Sequence, residues 1–552
     1  MRRIAILAAY TVVFWIALPC VLLRAAAFAD KRIGLAFSGS PWMISTGIFL
    51  TAASTALLFL SVFQFRRFAG EWPVSAFPCD RLIQHGLYAV WRHPIYLFYS
   101  LVLFGIGLAV HSAGLLLVTA PAFAALTAVY SLLEERVMIR RYGKKYENYR
   151  RKTGLVVPRF PHWLRAPAWI FFKVAFRYRI FNAERIPSEP PFFVVSTHRC
   201  YLDPFFIAAA VRFPLSFITT FEMFRKPASA FLFRKLMGIP RKRYTEDADS
   251  LRRTLRAIDS DYAIGVFPEG ERSWTGGPGI LKPEALRLLR KCGVPILPVR
   301  IEGNYPAWPR WSVRFRRAPV RVVFQDPLHA DPRSSLQQFE RDLAAVLRPD
   351  DRGTGCSSRS RARGLERVIY RCPSCRRFES LHPVRGIHLQ CRSCGSWITL
   401  TPDCMLQFSG GAERSIPDVY QEIKITQDDL VRHDGSRDGG TDPDAFPSEA
   451  CIARSDGCAF YREKGRAFIK IGHGNLSLTN KRLVWTGNPG CTEIPLADIT
   501  SVTVESNRKL QVFNRPMNTL HQATFEHESV LKWQDWLSEA VGAFTGRIPN
   551  RT

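Results

Sequence analysis

At 552 residues the chain is too long for one hydrophobic core, so several domains are expected. Its 76 Lys and Arg against 47 Asp and Glu give a net charge of +29, which favours anionic partners such as phospholipid headgroups or nucleic acid. The 13 cysteines are an odd number, mostly scattered, which suits a reducing compartment better than a disulfide framework. In chain order, Ile4 to Leu23 is free of charge and long enough to cross a bilayer core of ~30 Å. A secretory leader is the alternative, with Met1-Arg2-Arg3 as its basic start and Ala27-Phe28-Ala29 as a cleavage-like site. Trp42 to Phe63 is a second span. From Ile95 to Leu133, tyrosines aside, only His111 is ionisable, and at 1.5 Å per residue the run covers ~58 Å, enough for two crossings. Four spans put both ends on one side, and Arg2, Arg3 and the basic cluster from Arg136 to Lys152 mark it as cytoplasmic, against Lys31 and Arg32. These spans tip the charge argument toward lipid and away from nucleic acid.

Between the second and third spans lies Gly86-Leu87-Tyr88-Ala89-Val90-Trp91-Arg92-His93-Pro94-Ile95-Tyr96. After the fourth come Glu134-Glu135 and a run ending near Arg159. Residues 1–160 resemble the isoprenylcysteine carboxyl methyltransferase and phospholipid methyltransferase family. The resemblance implies S-adenosylmethionine held at the membrane surface by Arg92, His93, Pro94, Tyr96, Glu134 and Glu135. Polar groups at span ends can line such a pocket without burying charge in lipid. Leu87 and Phe98 depart from the family's usual proline and glycine, and a ring at 98 would narrow the pocket. Trp163 to Arg177 mixes Trp, Phe and Arg and predicts an interfacial helix.

The buried-strand pattern Phe192 to Val195 is followed by His198, then by Asp203-Pro204, a helix start with aspartate at the N-cap. An imidazole held by a carboxylate at a strand-to-helix turn can take a proton from a hydroxyl. A second buried strand, Ala263 to Phe267, runs into Pro268-Glu269-Gly270-Glu271-Arg272-Ser273. With Gly238-Ile239-Pro240-Arg241-Lys242-Arg243 and Val294-Pro295-Ile296-Leu297-Pro298-Val299, these blocks resemble the glycerolipid acyltransferase superfamily of the lysophosphatidic acid type. The resemblance implies an α/β domain over 161–348, His198 as general base, Asp203 as its orienting carboxylate, and acceptor contacts from Arg243, Glu269, Gly270 and Arg272. It also implies an acyl-CoA or acyl carrier protein thioester as donor and a lysolipid as acceptor. Thr197, Cys200, Glu271 and Glu284 depart from the family pattern. Glu271 matters most, since it adds negative charge beside the expected phosphate site. Cys200 reads as a small buried residue rather than a thiol nucleophile.

Residues 349–364, rich in Arg, Ser and Gly, predict a linker. Within 365–402, Cys372-x2-Cys375 and Cys391-x2-Cys394 stand fifteen residues apart, the spacing of a closed four-thiolate structural zinc site, with disulfides as the alternative. Residues 403–454 predict a connecting segment and an acidic, Gly-rich linker. Over 455–545, Gly474 to Trp485 and Glu493 to Val502 resemble a GRAM or pleckstrin-homology-like domain, implying a lipid or protein partner, with a closing helix from Glu528 to Val541. The expected whole is an integral membrane, multidomain enzyme: a helical membrane domain, an α/β acyltransferase, a small zinc ribbon and a β-rich domain. A methyltransferase with an accessory acyltransferase fold, and a non-enzymatic scaffold, are the alternatives.

Overall fold

The computed structural model describes residues 8–34, 41–73, 81–156, 162–211, 213, 215–242, 247–331, 333–432, 449–465, 467–488 and 490–546. The chain divides into two compact units, Met1–Leu164 and Arg165–Thr552.

In the first unit, the helices Ala8–Arg32, Pro41–Ala69 and Leu115–Tyr142 are long and apolar enough to cross a membrane. The expected double crossing from 95 to 133 does break into two helices, but the first, Pro94–Ala109, has only 16 residues. At 1.5 Å per residue it covers about 24 Å, less than a ~30 Å core. Among the described residues of the first unit, three helices are thus long enough to cross, and the expected third of four spans is a shorter apolar helix. Asp30, at the end of the first helix, holds the intervening turn by accepting Ser112 Oγ at 2.6 Å and Gly114 N at 2.5 Å. Small residues let Pro41–Ala69 and Pro94–Ala109 approach closely. A Cβ at Gly47 would lie 2.4 Å from Ala109 N, and one at Gly105 2.5 Å from Thr51 Oγ1.

In the second unit, a seven-stranded sheet has the order β1-β7-β6-β2-β5-β3-β4. Its strands are β1 (Arg179–Phe181), β2 (Phe193–Ser196), β3 (Leu215–Thr220), β4 (Ile239–Arg241), β5 (Ala263–Val266), β6 (Ile296–Glu302) and β7 (Arg321–Phe324). β2, β3, β4, β5 and β6 run parallel, while β7 is antiparallel to β6. β2 and β5 are buried along their whole length, which is why both are apolar apart from Ser196 at the end of β2. Alternation along β2 divides the core. Val194 faces a cluster with Phe172, Phe176 and Phe206, whereas Phe193 and Val195 face one with Leu286, Leu289 and Leu343.

The stretch 349–364 is not a free linker. It lacks regular structure, yet Asp351 pairs with Arg199, Thr354 and Cys356 are buried, and Ala362 enters a core. A five-stranded antiparallel sheet around the paired cysteines, order β12-β11-β10-β9-β8, comprises β8 (Leu381–Val384), β9 (His388–Cys391), β10 (Trp397–Leu400), β11 (Met405–Phe408) and β12 (Glu413–Ser415). It extends beyond 402, and the helices Ile416–Ile423 and Gln427–Arg432 follow. The expected connecting segment is thus folded as far as Arg432, because Leu406, Ile416, Val419 and Ile423 are core residues. Residues 433–448 lie outside the described residues.

The C-terminal domain is an antiparallel sheet of β13 (Cys451–Arg454), β14 (Cys458–Lys464), β15 (Ala467–Thr479), β16 (Arg482–Asn488), β17 (Gly490–Pro495), β18 (Ile499–Ser506), β19 (Lys509–Asn514) and β20 (Thr519–Phe525). The closing helix, Val530–Thr545, starts at Ser529, whose side chain accepts from Lys532 N, and buries Trp533, Trp536 and Leu537. One apolar cluster joins Tyr305 and Trp311 to the five-stranded sheet and to this domain.

Candidate active site

β2 delivers the chain to the carboxyl edge of the parallel sheet, and His198 lies two residues beyond its end. The imidazole stacks on Phe267 with ring centroids 4.3 Å apart. Its Nδ1 is 2.9 Å from Asp203 Oδ2. The same oxygen accepts Arg199 N at 2.7 Å and Cys200 N at 2.8 Å, while Oδ1 accepts Asn304 Nδ2 at 2.7 Å. Asp203 is fully buried, so its charge is held by these four donors. The expectation that Asp203 caps a helix is corrected. Leu202 occupies the cap position, and Asp203 opens the helix Asp203–Ala210 with its carboxylate turned back onto the 198–200 turn. Pro204 sits in the first turn as expected.

With a proton on Nδ1 facing the carboxylate, Nε2 carries the lone pair. The His198 side chain keeps 19% of its surface exposed, so a hydroxyl can reach it. Burial, together with the Arg272 and Arg310 charges, pushes the imidazole pKa below its ordinary value against the opposing pull of Asp203. Cys200 is buried, and burial raises its thiol pKa well above the ordinary range, which argues against a nucleophilic thiolate.

The loop after β5 is tied to this turn by its backbone, Ser273 N donating to His198 O at 2.8 Å. The buried Glu269 carboxylate accepts His198 N at 2.8 Å and Gly279 N at 2.9 Å, and burial raises its pKa to about 7. It holds the backbone of the histidine turn, where the resemblance implied a substrate contact. Gly270 has φ +76°, a left-handed turn that suits glycine. Arg272 lies flat over Tyr201, 3.3 Å from the ring centroid, and its Nη1 is buried without a hydrogen bond. That donor is available to an anion. Glu271 meets Arg310 Nη1 at 3.2 Å, so a cation offsets the extra carboxylate. Lys282 is half-buried, its amine held below the usual value by desolvation and by Arg241, against Glu271 and Glu284. Arg243 lies outside the described residues.

Asn304, Arg310 and Asp351 do not stand out in the sequence. Asn304 follows β6, which pairs with β2 along its first half and runs past its end, and this neighbourhood is the signal that could have found it. Arg199, also unforeseen, donates from Nη1 and Nη2 to Asp351 at 2.5 and 3.0 Å and from Nη2 to Ile301 O at 2.7 Å.

In the first unit the resembling residues do converge. Arg92 Nε donates to Glu135 Oε1 at 2.6 Å and its Nη1 to Thr153 O at 2.7 Å. Tyr96 OH donates to Glu134 Oε1 at 3.2 Å, and His93 Nδ1 lies 3.3 Å from Glu134 Oε2. His93 Nε2 is buried without a hydrogen bond, 3.9 Å from Glu135 Oε1. Phe98 packs edge-to-face on Trp91 at 5.3 Å, within a core that includes Tyr99 and Leu103.

Cys372, Cys375, Cys391 and Cys394 also converge, with all Sγ atoms within 4.8 Å of one another. Cys372 and Cys394 are 3.8 Å apart, and Cys375 and Cys391 3.7 Å. A tetrahedral ion with metal–sulfur bonds of ~2.3 Å sets its sulfurs about 3.8 Å apart, so the donor set fits such an ion. Ser393 N and Cys394 N donate to Cys391 Sγ at 3.4 and 3.5 Å.

Residues 177–302 match the acyltransferase family and residues 42–145 the phospholipid methyltransferase family. The chain is 26% identical over 204 residues to the chloroplastic 1-acyl-sn-glycerol-3-phosphate acyltransferase BAT2 of Brassica napus, covering 36% of this chain and 57% of that one. It is 33% identical over 144 residues to a probable 1-acyl-sn-glycerol-3-phosphate acyltransferase of Mycoplasma genitalium, covering 25% and 52%. The chain thus spans little more than half the length of these curated relatives. The crystal structure of the 1-acyl-sn-glycerophosphate (LPA) acyltransferase PlsC from Thermotoga maritima aligns with a TM-score of 0.31 at 22% identity, covering 40% of this chain and 86% of that one. The chain therefore unites a phospholipid methyltransferase domain at 42–145 with an acyltransferase domain at 177–302.

Proposed function

We propose that this chain transfers a fatty acyl group from an acyl thioester to the hydroxyl of a lysophosphatidate-like lysolipid. The observation that carries the reading is the His198 Nδ1 to Asp203 contact of 2.9 Å, with Nε2 left as a base. Nε2 takes the hydroxyl proton as the acceptor oxygen attacks the thioester carbonyl. A carbon–oxygen bond forms, the carbon–sulfur bond breaks, and the departing thiolate takes the proton back from the imidazolium. Asp203 stabilises that imidazolium, so no acyl-enzyme is needed. Arg272, through its free donor, holds an acceptor phosphate, and Arg243 adds to it by resemblance alone.

A second activity is favoured by the cluster of His93, Arg92, Glu134, Glu135 and Tyr96. These residues would hold S-adenosylmethionine, which supplies an electrophilic methyl group. The chain's own part would be to bind and orient it at span ends. The ribbon cysteines would hold a structural zinc ion. The antiparallel C-terminal sheet with its closing helix supports a pleckstrin-homology-like domain that binds a lipid or protein. Charge bias at the span ends supports catalytic domains facing the cytoplasm.

The test supplies the purified protein with labelled acyl thioester and labelled S-adenosylmethionine over a panel of lysolipids. Acyl label is expected on phosphate-bearing acceptors, and absence of acyl transfer across the panel refutes the reading. Methyl label, where found, should be lost with His93→Ala or Glu135→Ala and retained with His198→Ala.

A further inference from the structure

Glu271 stands in the acceptor loop next to Arg272, where a carboxylate would repel a phosphate. Arg310 answers it from outside the motif. Its guanidinium is 2% exposed, lies 4.2 Å over the Trp274 ring, and reaches Glu271 Oε2 at 3.2 Å and Arg272 O at 2.8 Å. Its other terminal nitrogen donates to the carbonyl of Val504, in β18 of the C-terminal domain. The contact is not isolated. Asn507, in the turn after β18, donates to Trp311 O at 2.8 Å, and Arg367 Nη1 donates to Asn507 O at 2.9 Å. Trp311 Nε1 donates to Tyr305 OH, which donates to Trp274 O, both at 3.0 Å. The β18–β19 turn is thus anchored on the segment that carries Arg310, and Arg310 grips both the side chain of Glu271 and the backbone of Arg272.

We propose that Arg310 is a positioning residue through which the C-terminal β domain sets the charge and shape of the acceptor loop, so that a phosphate-bearing acceptor binds despite Glu271. This rests on the acyltransferase reading above. Arg310 draws the Glu271 carboxylate to itself and away from the open donor of Arg272. Its two backbone contacts fix the loop to β18. The domain acts on acceptor recognition, while proton transfer stays with His198 and Asp203.

The test uses the full-length protein and three variants: Arg310→Met, which keeps an apolar stem over Trp274, Arg310→Lys, and Arg310→Met with Glu271→Gln. Lysophosphatidate is the acceptor in the kinetics, and amide hydrogen exchange is followed without substrate. Measured at pH ~8, where His198 is neutral with or without the Arg310 charge, Arg310→Met should raise KM for lysophosphatidate about tenfold or more, with kcat within about twofold, because the Glu271 carboxylate is left to oppose the phosphate. Exchange should quicken together over 269–279 and 500–508. Adding Glu271→Gln should bring KM back to within about threefold of wild type, because the competing charge is gone, and Arg310→Lys should fall between. A fall in kcat with KM unchanged, or no recovery with Glu271→Gln, overturns the proposal in favour of a merely structural arginine. If the wild-type protein transfers no acyl group to lysophosphatidate, the functional reading falls. The clamp is then judged by exchange alone: joint loosening of the two segments supports it, and continued protection at 500–508 overturns it.

Discussion

The His198→Ala substitution is expected to slow acyl transfer by ~10²-fold to 10⁴-fold, because no other base stands beside the Asp203 carboxylate in the turn after β2. Asp203→Asn is expected to lose a comparable factor, for two reasons that add. The imidazolium loses its charge partner. In addition, Asp203 accepts four N–H donors through two oxygens, and an amide can satisfy only those that meet its carbonyl oxygen. Whichever way it turns, its NH2 faces a buried donor, at roughly 1–3 kcal/mol for each donor orphaned. Since the carboxylate does not cap the helix, a near-neutral result for Asn would contradict the geometry. The pH profile should follow. The base is the neutral imidazole, whose fraction falls as pH drops through its folded pKa. That pKa is pushed below the ordinary ~6.5 in the free protein, so the acid limb of kcat/KM should lie below 6.5. An acid limb above 7, or acyl transfer at near wild-type rate in His198→Ala, would remove His198 from its assigned role.

Removal of metal from the ribbon is expected to have the second large effect. The purified full-length chain should contain about one zinc ion by elemental analysis. Structural zinc contributes ~10–16 kcal/mol in small metal-dependent domains, comparable to or above the ~5–15 kcal/mol net stability of a whole domain. A strong chelator, or Cys372→Ser with Cys391→Ser, should therefore unfold the ribbon rather than loosen it. Cys372 and Cys391 belong to the same apolar cluster as Trp533 and Trp311, so thermal unfolding of the C-terminal domain should shift downward with it. Finding no metal, or Cys372 and Cys394 joined as a disulfide, would defeat the assignment.

What could be read from sequence was what the chain keeps close together. His198 and Asp203 are five residues apart and share one turn, and Glu269 to Arg272 follow a strand that the apolar run of 263–267 makes plain. The cysteine pairs announce themselves by spacing. The roles of these residues were less legible than their places. Glu269 reads as an acceptor contact, with no sign in its motif that its two oxygens meet His198 N and Gly279 N. Asp203 reads as a helix cap until its donors are traced. Partners recruited from far along the chain left no local mark: Asn304 is 101 residues from Asp203, and Asp351 is 152 from Arg199. The same distance effect hid the order in 349–364. A stretch rich in Arg, Ser and Gly reads as a linker from its composition, yet Asp351 is held by Arg199 and by Gly303 N at 2.8 Å.

The apolar cluster shared by Tyr305, Trp311, the ribbon and the C-terminal helix has a genetic consequence. A core built jointly by three segments melts cooperatively, as one foldon rather than as beads on a string. Truncation after Arg432 would strip Tyr370 and Tyr420 of Asp535, to which both phenols donate at 2.7 and 2.8 Å. Missense changes that break this shared core should accordingly lower acyl transfer as a His198 lesion does, and should fail to complement such a lesion carried on a second copy.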